Sequence, residues 1–95
     1  MNTLQLASLL MLIAVVSACE TVCSYGAGDG FGYCDYSCNT DSGGHNSASD
    51  YTYNFAAALR GNGYDCHVEG SAESTVHCNS MNNCRSHSWK AGNDC

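Results

Sequence analysis

Cysteine is the residue through which this chain can do the most chemistry. The eight cysteines, Cys19, Cys23, Cys34, Cys38, Cys66, Cys78, Cys84 and Cys95, can ligate a metal or close four disulfides. The spacings Cys19-x3-Cys23 and Cys34-x3-Cys38 do not make the paired Cys-x2-Cys knuckles of a zinc ribbon, so four bridges are the expected outcome. Eight cysteines admit about 105 pairings. Geometry narrows them in part: one terminal cysteine, Cys19 or Cys23, is expected to meet Cys84 or Cys95, and Cys34 and Cys38 to reach Cys66 and Cys78 in an order left open.

Three further groups carry side chains with chemical potential. His67 and His77 lie in two alternating runs and would share the outer face of a hairpin beside Glu69, a donor set suited to copper or zinc. Any two exposed polar strands look the same, and no metal ligand is assigned. Asp41 and His45 lie in a polar loop before a helix, where they could hold a metal or move a proton. A solvated loop histidine is the plainer reading. Gly26 to Gly32 is glycine-rich but lacks the Lys-Ser/Thr and the following helix of a phosphate cradle, so it reads as a connector carrying Phe31. No catalytic residue and no cofactor is expected. The candidate binding residues are Phe31, Tyr53, His67 and His77.

These residues must be positioned by a few short elements. Tyr33 to Cys38 alternates, placing Cys34, Tyr36 and Cys38 on one strand face and Tyr33, Asp35 and Ser37 on the other. Ser47 followed by Asp50 is an acidic capping box that opens a helix. Ala48, Tyr51, Phe55, Ala58 and Leu59 form its apolar stripe, and Gly61 and Gly63 stop it. Tyr64–Glu69 and Ser74–Asn79 alternate around a polar turn as a hairpin with Cys66, Val68, Val76 and Cys78 inward. Glu20 to Gly32 reads as a loop or bulged edge. The tail offers a weak helix over Asn79–Ser86 and an edge strand over His87–Lys90, with Trp89 covering the core.

Composition bounds the class. The formal net charge of -6, with Arg60, Arg85 and Lys90 as the only basic side chains, gives no footprint for nucleic acid or anionic lipid. Residues 1–18 contain an apolar run, Leu9 to Val16, and end in Ser17-Ala18. They read as a secretory signal rather than a membrane anchor, the run being too short to span a bilayer. A lipoprotein signal ending at Cys19 would leave an odd number of cysteines. Residues 19–95 are then a single domain, too short to offset backbone entropy of about 1 to 2 kcal/mol per residue with apolar burial alone. Bridges worth roughly 2 to 4 kcal/mol each make up the difference in such a scaffold. The fold class expected is α+β, a small disulfide-rich sandwich with one main helix on a short antiparallel sheet.

The Cys34-x3-Cys38 strand, the polar loop with His45, the helix with Ala56-Ala57-Ala58, Cys66 in the next strand and three later cysteines resemble the killer-toxin-like group of small secreted fungal proteins. That group is typified by the alpha subunit of a smut-fungus killer toxin and includes plant-pathogen effectors. The resemblance implies about four strands and two helices, no enzymatic site, and action outside the producing cell. Cys34-Asp35-Tyr36-Ser37-Cys38 and the helix after it also resemble guanyl-specific fungal ribonucleases over about a third of the chain. That likeness would nominate Glu69, Arg85 and one of His67, His77 or His87 for acid, base and phosphorane-stabilising roles. The expectation is a secreted, monomeric, non-enzymatic effector or toxin-like protein that binds a protein or cell-surface target, without nucleic acid and without stable membrane insertion. A reduced ribonuclease-like hydrolase and a surface-adhesion protein are the alternatives.

Overall fold

The computed structural model describes residues 19–93 and Cys95; the signal expected over residues 1–18 lies outside the described residues. The elements run β1 (Glu20–Ala27), β2 (Tyr33–Cys38), α1 (Ala48–Gly61), β3 (Asp65–Glu69), β4 (Thr75–Asn79), a 3-10 turn (Cys84–Ser86) and β5 (Trp89–Ala91). One five-stranded sheet has the order β3-β4-β2-β1-β5, and every neighbouring pair is antiparallel. β2 and β3 are therefore parallel with β4 between them, and α1 is the crossover of a split β-α-β unit. The α+β class with one main helix on an antiparallel sheet is what the structure shows.

The helix begins where its cap dictates. Asp50 N–H donates to Ser47 Oγ at 3.4 Å and Ser47 N–H donates to an Asp50 carboxylate oxygen at 3.1 Å, so both halves of the capping box are present. It ends in a Schellman arrangement: Gly63 N–H bonds the Arg60 carbonyl, Tyr64 N–H bonds the Leu59 carbonyl, and Gly63 takes a φ of 93°. Gly61, expected to break the helix, is its last residue, and only Gly63 needs the left-handed region. The buried stripe is Tyr51, Thr52, Phe55, Ala56 and Leu59, rotated from the expected one. Ala48 and Ala58 fall at its margins because Thr52 turns inward, where its hydroxyl donates to the Glu73 carbonyl at 2.6 Å and ties the helix to the β3–β4 turn.

Six of the fourteen buried core residues are half-cystines. Cys23, Cys34, Cys38, Cys66, Cys78 and Cys84 are buried together with Val22, Tyr36, Tyr51, Phe55, Ala56, Leu59, Val76 and Met81. Tyr36 meets Phe55 edge to face at 5.0 Å, and the half-buried Trp89 closes over Phe55 at 6.0 Å as core cover. The Tyr36 hydroxyl donates to the Cys84 carbonyl at 2.6 Å, and burial pushes its pKa up to about 12, so it stays a donor at any working pH.

Three expectations need correction. Glu20–Ala27 is a strand between β2 and β5, not a loop and not an edge; the expected bulging is there, as irregularities at Thr21/Cys23 and Tyr25/Ala27, and the strand ends before Gly28. The second helix shrinks to the three-residue turn at Cys84, because its asparagines leave a stretch with little helix propensity and Cys84 is pinned from both sides. The bridges are Cys19–Cys95, Cys23–Cys38, Cys34–Cys84 and Cys66–Cys78. The terminal pair is as expected, whereas Cys34 and Cys38 do not reach Cys66 and Cys78. Cys34, Cys78 and Cys66 do form one row across β2, β4 and β3, but Cys78 closes within its own hairpin. The Tyr36–Cys84 hydrogen bond holds the 3-10 turn over the face that Cys34 occupies, and β1 brings Cys23 opposite Cys38.

Among the bridges, only Cys19–Cys95 joins two exposed residues; the other six half-cystines are at most 3% exposed. Oxidised protein should therefore give no titratable thiol. Under mild reductant, alkylation and peptide mapping should label Cys19 and Cys95 first with the fold retained. Earlier labelling at Cys66 and Cys78 would contradict this burial order.

Candidate functional site

Alternation along three strands leaves one sheet face to the helix and cystines and the other to solvent. Cys34, Tyr36, Cys66, Val76 and Cys78 point inward, so Tyr33 and Asp35 on β2, His67 and Glu69 on β3, and His77 and Asn79 on β4 share the open face. The register sets Asp35, His77 and His67 in a single row, each directly opposite the next. His67 and His77 are thus the cross-strand neighbours that the sequence suggests, with ring centroids 5.4 Å apart.

His77 is the centre of this face. Its Nδ1 lies 2.6 Å from an Asp35 carboxylate oxygen and 3.8 Å from one of Glu69, its Nε2 lies 3.1 Å from Asn79 Oδ1, and the Tyr33 ring stacks on it at 5.7 Å. Asn79 Nδ2 donates to Asp65 at 3.2 Å, which fixes the amide so that its oxygen faces His77. Both ring nitrogens consequently face oxygen acceptors, the surroundings of an imidazolium. The Asp35 hydrogen bond, helped by Asn79 and by the nearby charges of Asp35 and Glu69, raises the His77 pKa above its ordinary value against the opposing effect of burial. His67 Nε2 and Glu69 are 3.0 Å apart with both side chains about half exposed, so that contact adds little stability.

The second candidate pair resolves differently. Asp41 is buried at the floor of a cleft of about 450 Å³ lined also by Glu20, His45, Tyr51 and Asn93. Its carboxylate accepts from His45 N–H at 3.0 Å, Asn46 N–H at 2.9 Å and the Tyr51 hydroxyl at 2.7 Å. Those bonds, the one from the His45 backbone foremost, hold its pKa far below the usual carboxylate range. The His45 imidazole stands 3.5 Å off and is 84% exposed. Asp41 is a latch that folds the loop onto the first turns of α1, with its lone pairs committed to fixed donors, and His45 is the solvated loop histidine.

The remaining candidates are dispersed. Phe31, on the β1–β2 loop, is 83% exposed and stands two residues before Tyr33; Tyr53 lies on the helix, behind the opposite face of the sheet, with its hydroxyl toward Glu73. Arg85 pairs with Asp29 at 3.2 Å and stacks over Tyr25, whose ring belongs to the core face. His87 packs on Tyr64. The nominated hydrolase residues are therefore split: Glu69, His67 and His77 stand together, while Arg85 and His87 are held elsewhere. Asp35, Tyr33 and Asn79 are the site residues that sequence reasoning overlooked. Alternation already put Asp35 and Tyr33 on the polar face of β2, but only the docking of β4 against β2 brings them to His77.

Comparison with known proteins yields no kin: no family model, no curated protein and no solved structure matches the chain.

Two titrations follow. A His77 with a raised folded pKa contributes stability that is complete below its unfolded value of about 6.5 and is lost as pH rises through the folded value. NMR of the ring protons should show His77 titrating above that value, and Asp35→Asn should bring it back down; a His77 unmoved by Asp35→Asn would rule the pairing out. For Asp41 the sign is opposite, since its folded pKa is depressed. The stability that it contributes is present above about pH 4 and lost as pH falls below that. The gap in melting temperature between the native protein and Asp41→Asn should be several degrees at neutral pH and close on acidification. A gap constant with pH would show that the charge is not what the latch uses.

Proposed function

We propose that this chain is a secreted, non-enzymatic binding protein, an effector or toxin-like factor that engages a protein or cell-surface target through the open sheet face and Phe31. The observation that carries the reading is that face itself. Its residues are held in register by three strands with cystines behind them, they face solvent, and the loop beside them exposes a large aromatic side chain that no packing requirement explains. Buried aromatic anchors in a rigid setting are what protein interfaces draw their energy from.

Four bridges with no free cysteine among the described residues support maturation in an oxidising compartment, and so support secretion. No helix among the described residues is long and apolar enough to cross a membrane. The formal charge of -6 favours a cationic patch on the partner over nucleic acid. The resemblance to killer-toxin-like fungal proteins points to the same function, although the sheet has five strands where that resemblance implies about four, and a single turn where it implies a second helix.

The test pairs binding with catalysis. Labelled oxidised protein is titrated onto host or competitor cells, and Phe31→Ala should weaken saturable binding about thirtyfold, as loss of roughly 2 kcal/mol at an aromatic anchor implies, while Tyr53→Ala leaves it unchanged. RNA incubated with the same protein should remain intact. RNA cleavage abolished by the His67→Ala, Arg85→Ala double variant would replace the binding reading with a hydrolase. Binding indifferent to Phe31→Ala would remove the face from consideration.

A further inference from the structure

The His77 cluster has a donor set, an arrangement and a supporting shell that go beyond a polar surface. One imidazole nitrogen of His77 and one carboxylate oxygen each from Asp35 and Glu69 lie within 4.8 Å of one another, and they come from three different strands. From this juxtaposition we infer that the open sheet face is a binding site for one divalent transition-metal ion of the zinc or copper(II) type. His77 Nδ1, Asp35 and Glu69 are its three protein ligands.

Four features favour an ion over a set of mutual hydrogen bonds. First, the ligand chemistry is right: with every described cysteine tied in a disulfide, the available donors are imidazole nitrogen and carboxylate oxygen, which suit zinc and copper(II). Second, the spacing is close. Bonds of about 2.0 to 2.2 Å at a tetrahedral angle set ligand atoms roughly 3.3 Å apart. The Glu69–His77 separation of 3.8 Å and the Asp35–His77 separation of 2.6 Å bracket that value, and the Asp35 and Glu69 oxygens lie within 4.8 Å of each other.

Third, His77 already has the outer partner that a ligating histidine requires. With Nδ1 on the ion, Nε2–H donates to Asn79 Oδ1 at 3.1 Å, and Asn79 is itself anchored on Asp65. Such a partner fixes ring orientation and tautomer before the ion arrives. Fourth, entry of the ion strands no donor. Among the described residues the Asp35 and Glu69 carboxylates meet imidazoles, whose shared protons an ion displaces, whereas the Asp41 carboxylate holds two backbone N–H groups and a buried hydroxyl that it cannot release. The long-range field agrees: Arg60 is bound to the Cys66 carbonyl, Arg85 lies on the core side and Lys90 on the far edge strand, so two carboxylate ligands stand without a competing cation.

The strands also hold the site ready. Cys66–Cys78 bridges β3 and β4 one residue from the His67–His77 pair, on the opposite face, and Cys34–Cys84 pins β2 beside Asp35. Binding therefore orders side chains and not backbone, which keeps its entropic penalty small.

The inference stands on side-chain geometry and needs no macromolecular partner, so its test is separable from that of the binding reading. The oxidised secreted protein is stripped with chelator and titrated calorimetrically with Zn²⁺, with Cu²⁺ and, as the hard-ion control, with Ca²⁺. Zn²⁺ or Cu²⁺ should bind one per chain with a Kd on the order of micromolar or tighter, Ca²⁺ far more weakly, and the ring protons of His67 and His77 should move on addition of Zn²⁺. Asp35→Asn and His77→Gln should each weaken binding by about tenfold or more, whereas His45→Ala and His87→Ala should not. Should His77→Gln fail to fold, Glu69→Gln at its half-exposed position gives the same readout, with the four bridges mapped as the fold control. A Kd weaker than about 1 mM, a preference for Ca²⁺, or affinity that survives Asp35→Asn and Glu69→Gln but falls with His45→Ala would overturn the site.

Discussion

Every feature of this domain traces back to the placing of six sulfur atoms beneath a small sheet. A chain of this length gains too little from apolar burial to offset the entropy of ordering its backbone, about 1 to 2 kcal/mol per residue. Cystine meets that shortfall twice over. Each bridge restricts the unfolded chain, and each buried half-cystine also fills core volume as a small hydrophobe. Here the half-cystines fill space that Leu or Ile would fill in a larger domain, which is why Val22, Leu59, Val76 and Met81 suffice as the larger non-aromatic partners of Tyr36 and Phe55.

The cross-links also order the surface. Because side chains alternate across a strand, fixing the cystine face fixes the opposite face in the same step. Cys66 and Cys78 sit opposite one another, so His67 and His77, one residue along, must also sit opposite one another. Cys34 lies in the same row as Cys78, and Asp35 therefore lines up with His77. A slip of one residue in any of these strands would turn its sulfur out to solvent, so the register that preserves the core also preserves the outer row. Core and candidate site are two readings of one hydrogen-bonded ladder.

The two acid-imidazole groups show how local partners decide what a carboxylate does. Asp41 and His45 are neighbours in sequence, yet Asp41 spends its oxygens on backbone donors and a tyrosine hydroxyl and serves as a loop latch. Asp35 and His77 are far apart in sequence, yet they meet through side chains alone, on a face open to solvent. A carboxylate held by backbone N–H groups is structural because those donors have nowhere else to go. One held only by an imidazole can exchange its proton for another cation.

Much of this was readable from residue order because it depends on local physics. The alternation of β2, β3 and β4 sorts their faces, Ser47 and Asp50 cap the helix through contacts three residues apart, and an even set of cysteines in a short acidic chain calls for bridges. The pairing of His67 with His77 was legible too, since a hairpin joins near neighbours. What residue order could not decide is which strands lie side by side. The docking of β4 on β2 brings Asp35 to His77, the insertion of β1 between β2 and β5 gives Cys38 its partner, and the Tyr36 hydroxyl draws Cys84 over Cys34. Those are long-range choices, settled by which sulfurs and rings pack together once the whole chain has closed, and no window of a few residues contains them.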